Sequence, residues 1–230
     1  MQNAVVSHED WLAARRDLLQ KEKELTHLRD SVASKRLALP WERIEKDYVF
    51  DTLDGPRSLA GLFEGRSQLV VQHFMFAPGW KEGCPSCSFM ADHADGMNLH
   101  LANHDVTMIA VSRAPLADIE RYRKRMGWTF GWVSSFGSDF NYDFQVSFTP
   151  EEVASGHIDY NFGGWNMTGE EWPGVSAFIK NEAGEVFRTY STYGRGVEVM
   201  MGTYAMLDLT PKGRNEARGM DWVRRHDRYE

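Results

Sequence analysis

The stretch "GWKEGCPSCSFM", residues 79–90, holds the two cysteines of the chain, Cys84 and Cys87, with Pro85 and Ser86 between them. Immediately upstream, "SQLVVQHFMF" (67–76) is an apolar run of strand length, as found in parallel strands buried on both faces. Pro85 suits the first position of a helix, where its missing N–H is not needed, so a helix is expected from the cysteines to about Leu101. Cys84 then sits at the helix amino end, where unpaired N–H groups and the helix dipole favour an anion. Cys87, one turn later on the same side, can resolve a mixed disulfide formed at Cys84. The thiolate is the attacking species, and this placement offers the means of lowering a thiol pKa from about 8.5.

Two other uses of C-x-x-C compete with cycling. Half a zinc site would draw on His93 and His100, but on a continuous helix these project roughly 240° and 220° around from Cys87. Structural zinc generally wants four converging ligands, so both histidines are expected at the surface. Inert burial of both thiols is the other alternative.

Farther along, "VTMIAVS" (106–112), "APLADIERYRKRMG" (114–127) and "TFGWVSS" (129–135) read as strand, helix and strand. This βαβ rhythm puts the cysteines at the carboxyl end of a central strand, where open α/β sheets place their sites. Before them, "YVFDTLDGPRSLAGLFEG" (48–65) reads as a strand, a turn at Asp54-Gly55-Pro56 and a short helix. After them, "GVSAFIKNEAGEVFRTYST" (174–192) is a hairpin turning around Gly184, and "VEVMMGTYAMLDL" (197–209) a final helix. Residues 134–172 interrupt the rhythm. They are rich in aromatics (Phe136, Phe140, Tyr142, Phe144, Phe148, Tyr160, Phe162, Trp165, Trp172) and carry "NFGGWN", so they form either a substrate-facing lip or a segment packed by its own side chains.

The amino-terminal region is different in kind. From the N-cap Ser7, with Glu9 and Asp10 in the first turn, apolar residues recur at Trp11, Ala14, Leu18, Leu25, Leu28 and Val32, and Pro40 ends the region. This is one long amphipathic helix, and its narrow stripe is either incidental to a solvated face or the seam of a homodimer. The expected organisation is a helical extension (1–40), an α/β domain (41–210) with an insertion at about 134–172, and a charged tail (211–230), in which His226 and Asp227 form a surface ion pair.

Composition excludes several functions. With 230 residues the chain can bury a core without disulfide staples. A formal charge of −7 and a pI near 5.6 argue against nucleic acid, which needs clustered Lys and Arg. Neither a secretory leader nor about 18 consecutive apolar residues can be found, so no membrane association is expected. The expected location is the cytoplasm, where thiols stay reduced unless cycling is their function.

Strand, C-x-x-C at a helix start, helix, strand, and then a proline opening an antiparallel hairpin: this order resembles the thioredoxin fold. In thioredoxin-like proteins a cis-proline facing the cysteines precedes that hairpin, and "WPGVSAFIKNEAGEVF" (172–187) puts Pro173 there. Read without the family, Pro173 is a strand-opening proline, trans by default. Over nearly the whole chain, the long amino-terminal helix, "HFMFAPGWKEGCPSCS", "TYSTYGRG", "LDLTPKGR" and "RRHDRY" resemble the bacterial DUF899 family of thioredoxin-like proteins, described as predicted dithiol-disulfide oxidoreductases. The Pro-Ser dipeptide departs from the Gly-Pro of thioredoxins. The longer loop "APGWKEG" (77–83) is similar to that of peroxiredoxins, whose cysteine follows a proline and a threonine; Pro78 is present, but Lys81 stands in the threonine's place. The resemblance also aligns His73 with the buried acid that exchanges protons with the resolving cysteine of thioredoxins; by itself, a histidine in a core strand reads as hydrogen-bonded packing.

The resulting expectation is an α/β, thioredoxin-like dithiol-disulfide oxidoreductase with Cys84 as nucleophile, Cys87 as resolver, Pro173 as a backbone shelf for substrate and His73 as proton carrier. It would need no bound cofactor. Its partners would be a disulfide-containing protein or small molecule and a reducing thiol or reductase. The alternatives are a peroxiredoxin-like thiol peroxidase and a non-catalytic binding protein whose pocket uses Tyr190, Tyr193 and Arg195.

Overall fold

A computed structural model of the chain describes residues 3–165 and 168–230, and it divides into two units, Met1–Pro40 and Trp41–Glu230. Asn166 of the "NFGGWN" segment and the side chain of Trp165 lie outside the described residues. No helix among the described residues is long and apolar enough to cross a membrane.

The first unit is α1 (His8–Leu37), whose start and end follow from local chemistry. The Ser7 hydroxyl accepts the Asp10 N–H at 3.1 Å, while acids in the first turn and Lys35 and Arg36 in the last complement the helix dipole. No residue of α1 is buried, and Trp11, Leu18, Leu25, Leu28 and Val32 are exposed.

The second unit contains β1 (Glu42–Arg43), β2 (Val49–Phe50), β3 (Arg57–Ser58), β4 (Gln68–His73), α2 (Pro85–Ala91), α3 (Ala94–Asn103), β5 (Val106–Ser112), α4 (Leu116–Met126) and β6 (Gly131–Ser134). Next come α5 (Phe140–Asp143), α6 (Pro150–Ala154), β7 (Ile158–Tyr160), β8 (Gly163–Trp165), β9 (Gly174–Lys180), β10 (Val186–Tyr193) and α7 (Gly202–Leu207). Six strands form one sheet in the order β1-β10-β9-β4-β5-β6. β4, β5 and β6 are parallel, whereas β9 runs antiparallel to β4 and continues into β10 through a turn at Gly184, whose φ of 83° suits glycine. This mixed sheet flanked by helices is an α/β, thioredoxin-like fold. The carboxyl ends of β4 and β5 and the start of β9 meet at one edge, because His73 pairs with both Val111 and Gly174.

Two apolar layers cover the sheet. On one face α2, α3 and α4 pack through Cys87, Phe89, Met90, Ala94, Ile119 and Tyr122 against Phe74, Phe76 and Trp132. On the other, Phe50, Leu62, Phe63, Phe140, Phe144 and Tyr160 pack against Leu69, Val71 and Phe178. Alternation along β4 sends Leu69 and Val71 to the second face and Val70 to the first.

Three expectations need correction. The helix from the cysteines to Leu101 is two helices, α2 and α3, separated at Asp92-His93. Tertiary bonds claim both side chains: Asp92 accepts from Trp128 Nε1 at 2.8 Å, and His93 Nδ1 and Nε2 pair with Phe89 O and Thr203 Oγ1, each at 2.8 Å. His93 is therefore half-buried rather than superficial, with both ring nitrogens occupied, while His100 is exposed. The final helix is likewise broken, into a 3₁₀ segment (Gly194–Met200) and α7. Finally, residues 211–230 belong to the second unit, with Val223 buried beside the cysteine-side cluster and Trp222 packed on Phe89. As for 134–172, its buried Phe140, Phe144, Phe148 and Tyr160 make it part of the second layer, while Phe136 and Phe162 stay exposed.

Leu69→Ala should cost about 2–5 kcal/mol by urea unfolding, because Leu69 is fully buried in the second layer. Cys84, on the first face, should keep its alkylation rate in the folded variant.

Candidate active site

The cysteine turn is fixed from several directions. The Cys84 N–H donates to Met75 O at 3.0 Å, tying the loop to the end of β4. Cys84 O accepts the Ser88 N–H at 3.0 Å and the Ser88 hydroxyl at 2.8 Å, closing the first turn of α2. Gly83 must be glycine here, since an added Cβ would lie 2.5 Å from the Phe74 ring and 2.9 Å from that of Tyr122. Behind the turn, the Gln72 side-chain amide donates to Cys87 O at 3.1 Å.

Both cysteines are free thiols, Cys87 buried and Cys84 half-buried. The Cys84 pKa is lowered to about 7, first by the hydrogen bond from the Cys87 thiol, then by the backbone N–H groups of Cys87 and Ser86, with the charge of Arg225 adding, all against the opposing effect of burial. Cys87 moves the other way. Its bond to Cys84, its burial and the neighbouring Cys84 charge push its thiol up, and Glu171 adds to this. Near neutral pH the pair therefore loses its first proton from Cys84, while Cys87 keeps its own.

Around this pair the sheet edge gathers groups that sequence reading missed. Arg113, directly after β5, is bound by Glu171 through Nε at 2.7 Å and Nη2 at 2.5 Å, and it also donates to the Tyr142 hydroxyl. Glu171 is buried, which raises its pKa, while Arg113 and the Ser147 hydroxyl oppose that rise. From the far end of the chain, Arg225 donates to Gly83 O through Nε at 3.1 Å and Nη2 at 2.6 Å, and to the Tyr122 hydroxyl at 3.1 Å. The only hint in the sequence was the cluster "RRHDRY" itself, and nothing in it specified a destination.

Pro173 and His73 fare differently from the cysteines. Pro173 opens β9 at the same sheet edge, but the Trp172–Pro173 peptide is trans, correcting the cis expectation. The trans form is the lower-energy one, and bonds on both sides hold it: Trp172 N–H to Val146 O at 2.8 Å and the Tyr160 hydroxyl to Pro173 O at 2.7 Å. His73 points to the face opposite Cys87, with its ring 5.6 Å from those of both Phe140 and Phe144 and Nε2 paired with Ser176 Oγ at 2.8 Å. Strand parity is the reason: Gln72 faces the cysteines, so His73 cannot, and the proton-carrier role is withdrawn. Burial lowers the His73 pKa to about 3, with Arg188 contributing, so it is a neutral core residue. Tyr193 is likewise buried, its hydroxyl donating to Phe144 O, Arg195 pairs on the surface with Glu198, and Tyr190 is half-buried in β10. His226 and Asp227 do not pair with each other: His226 bonds Asp92 and Asp227 bonds Arg125.

The model of the family described as "Bacterial protein of unknown function (DUF899)" matches residues 1–229. No curated protein matches. Among solved structures, the peroxidoxin BcpB from Mycobacterium tuberculosis is similar with a TM-score of 0.46 at 13% identity, covering 69% of this chain and 91% of that one. PrxQ from Xylella fastidiosa gives 0.42 at 14% identity, covering 69% and 88%. The mitochondrial 2-Cys peroxiredoxin from Plasmodium falciparum gives 0.41 at 12%, covering 77% and 98%.

The buried His73 makes stability depend on pH with a defined sign. Its folded value near 3 lies below the unfolded value of about 6.5, so the unfolded chain takes up a proton first as pH falls. The parent should lose stability relative to His73→Gln below about pH 6.5, by up to about 1.4 kcal/mol per pH unit, and hold a constant gap above it. Urea unfolding of both proteins from pH 7.5 to 4.5 checks this, and a constant gap throughout would contradict it.

Proposed function

The chain belongs to the DUF899 family, and we propose that it is a dithiol-disulfide oxidoreductase whose working pair is Cys84 and Cys87. One observation carries this reading: the two thiols have opposite proton preferences, Cys84 being lowered to about 7 and Cys87 raised, within one helical turn at the carboxyl edge of the sheet. Inert cysteines have no use for such a difference. A low pKa makes the outer sulfur an attacking thiolate and a good leaving group, whereas a protonated inner sulfur is held in reserve until it is needed.

The exchange balances in two steps. The Cys84 thiolate attacks one sulfur of the substrate disulfide, forming a Cys84–substrate S–S bond and releasing the other substrate sulfur as a thiolate. Cys87 gives up its proton and attacks Cys84 Sγ, forming the intramolecular disulfide and expelling the second substrate sulfur. The protein loses two electrons and the substrate gains them, leaving as two thiols whose protons come from Cys87 and solvent. A small thiol or a reductase returns the pair to the dithiol state by the reverse exchange, so the cycle needs no bound cofactor. In this reading the backbone at Pro173, which precedes β9 at the sheet edge where β4 ends, is the shelf against which the substrate's extended segment rests.

With dithiothreitol as reductant and a small-molecule disulfide as substrate, Cys84→Ser should abolish turnover, while Cys87→Ser should accumulate mixed disulfides at Cys84, read as added mass. Turnover that survives Cys84→Ser would contradict the assignment. Activity with hydrogen peroxide but with no disulfide would make the protein a thiol peroxidase instead.

A further inference from the structure

We propose that the carboxy-terminal segment completes the cysteine site, with Arg225 as the positioning residue that clamps the Gly83–Cys84 turn and sets a fixed positive charge beside Cys84. The inference rests on Cys84 being the reactive thiol and adds a component that neither strand order nor the C-x-x-C motif supplies.

The geometry is that of a closed ring. Arg225 donates twice to Gly83 O, at 2.6 and 3.1 Å, and once to the Tyr122 hydroxyl at 3.1 Å. The Tyr122 hydroxyl pairs with Ser88 Oγ at 2.9 Å, and Ser88 Oγ donates to Cys84 O at 2.8 Å. One guanidinium thus grips the residue before Cys84 directly and the carbonyl of Cys84 through two hydroxyls. A planar fork of donors is suited to this, since Nε and Nη2 converge on Gly83 O while Nη1 is left for Glu82. The Arg225 side chain is only 18% exposed, so its charge is poorly screened by water.

The segment is built to hold this arginine in place. Val223 is buried, and Trp222 packs on Phe89 and Tyr204. On the other side Asp227 takes two bonds from Arg125, at 2.7 and 3.1 Å, and His226 Nδ1 pairs with Asp92 at 2.6 Å. Glu82 is the counter-charge: Arg225 reaches it at 2.9 Å and Arg228 at 3.4 Å, and Arg125 donates to it as well. Three arginines, Arg125, Arg225 and Arg228, thus meet two carboxylates, Glu82 and Asp227, and Arg225 is the one of them whose charge acts on Cys84. The titratable and charged groups acting on the pair are therefore Cys87 on α2, Arg225 on the carboxy-terminal segment, Tyr122 on α4, Glu82 in the preceding loop, and Glu171 and Tyr160 on the Cys87 side.

The test measures the pH profile of Cys84 alkylation by iodoacetamide, located by peptide mass mapping, which requires no turnover. The parent should show a midpoint near 7. Arg225→Gln should raise it by about half a pH unit or more, which is roughly threefold slower alkylation at pH 6. Arg225→Lys should restore most of the shift, because it restores the charge, and Glu82→Gln should move the midpoint the opposite way by freeing the arginines. Superimposed Arg225→Gln and parent profiles, or equal losses in the Gln and Lys variants, would overturn the proposal. Should Arg225→Gln not fold, Glu82→Gln decides: a lowered midpoint supports the proposal and an unchanged one overturns it. A parent midpoint near 9 would sink both this role and the dithiol reading, whereas a parent that titrates near 7 yet reduces no disulfide sinks only the latter.

Discussion

A single proton lying between two sulfurs is the constraint on which the site depends. The Cys87 thiol donates to Cys84, and this bond leads the causes that lower one pKa and raise the other. Burial alone would raise both, because desolvation disfavours any thiolate. What breaks the symmetry is position: Cys84 is the N-cap residue of α2, where the N–H groups of Ser86 and Cys87 favour its charge, whereas Cys87 lies inside the apolar layer with Phe89 and Met90. The fold's task is to keep the two sulfurs within this bond while leaving Cys84 half-open to a partner.

The sheet carries out that task through its edges rather than its core. β4 ends at His73, β5 at Ser112 and β9 begins at Gly174, so Cys84, Arg113 and Glu171 emerge from three neighbouring strands at one edge. The charges placed there oppose one another. Arg225 favours the thiolate at Cys84, and Glu171 disfavours one at Cys87, so both act to keep the proton on the inner sulfur. Glu171 could not remain ionised when buried without a partner, and Arg113 is that partner. Removing Arg113 would therefore alter Glu171 before it altered the cysteines.

Much of the fold was legible because its signals are local. The apolar run before the cysteines, Pro85 at a helix start and the turn at Gly184 each follow from short-range sterics, and the strands and hairpin lie where those signals put them. What was not legible is long-range. An apolar strand buried on both faces gives no indication of which face a given residue takes, so His73 was aligned with the cysteines when its neighbour Gln72 holds that side. No proline or glycine marks the break at Asp92-His93; Trp128, Thr203 and His226 cause it from elsewhere in the chain. Arg225 reaches Gly83 across 142 residues, and a basic cluster near a terminus reads from sequence as solvated charge.

The most direct test of the account is to follow the ¹³Cβ resonances of Cys84 and Cys87 in the reduced protein between pH 5 and pH 11, which reports each sulfur's proton separately. The account predicts that Cys84 titrates with a midpoint near 7 and that Cys87 stays a thiol until well above 9. A reversed order, or one common midpoint near 9 for both sulfurs, would contradict it.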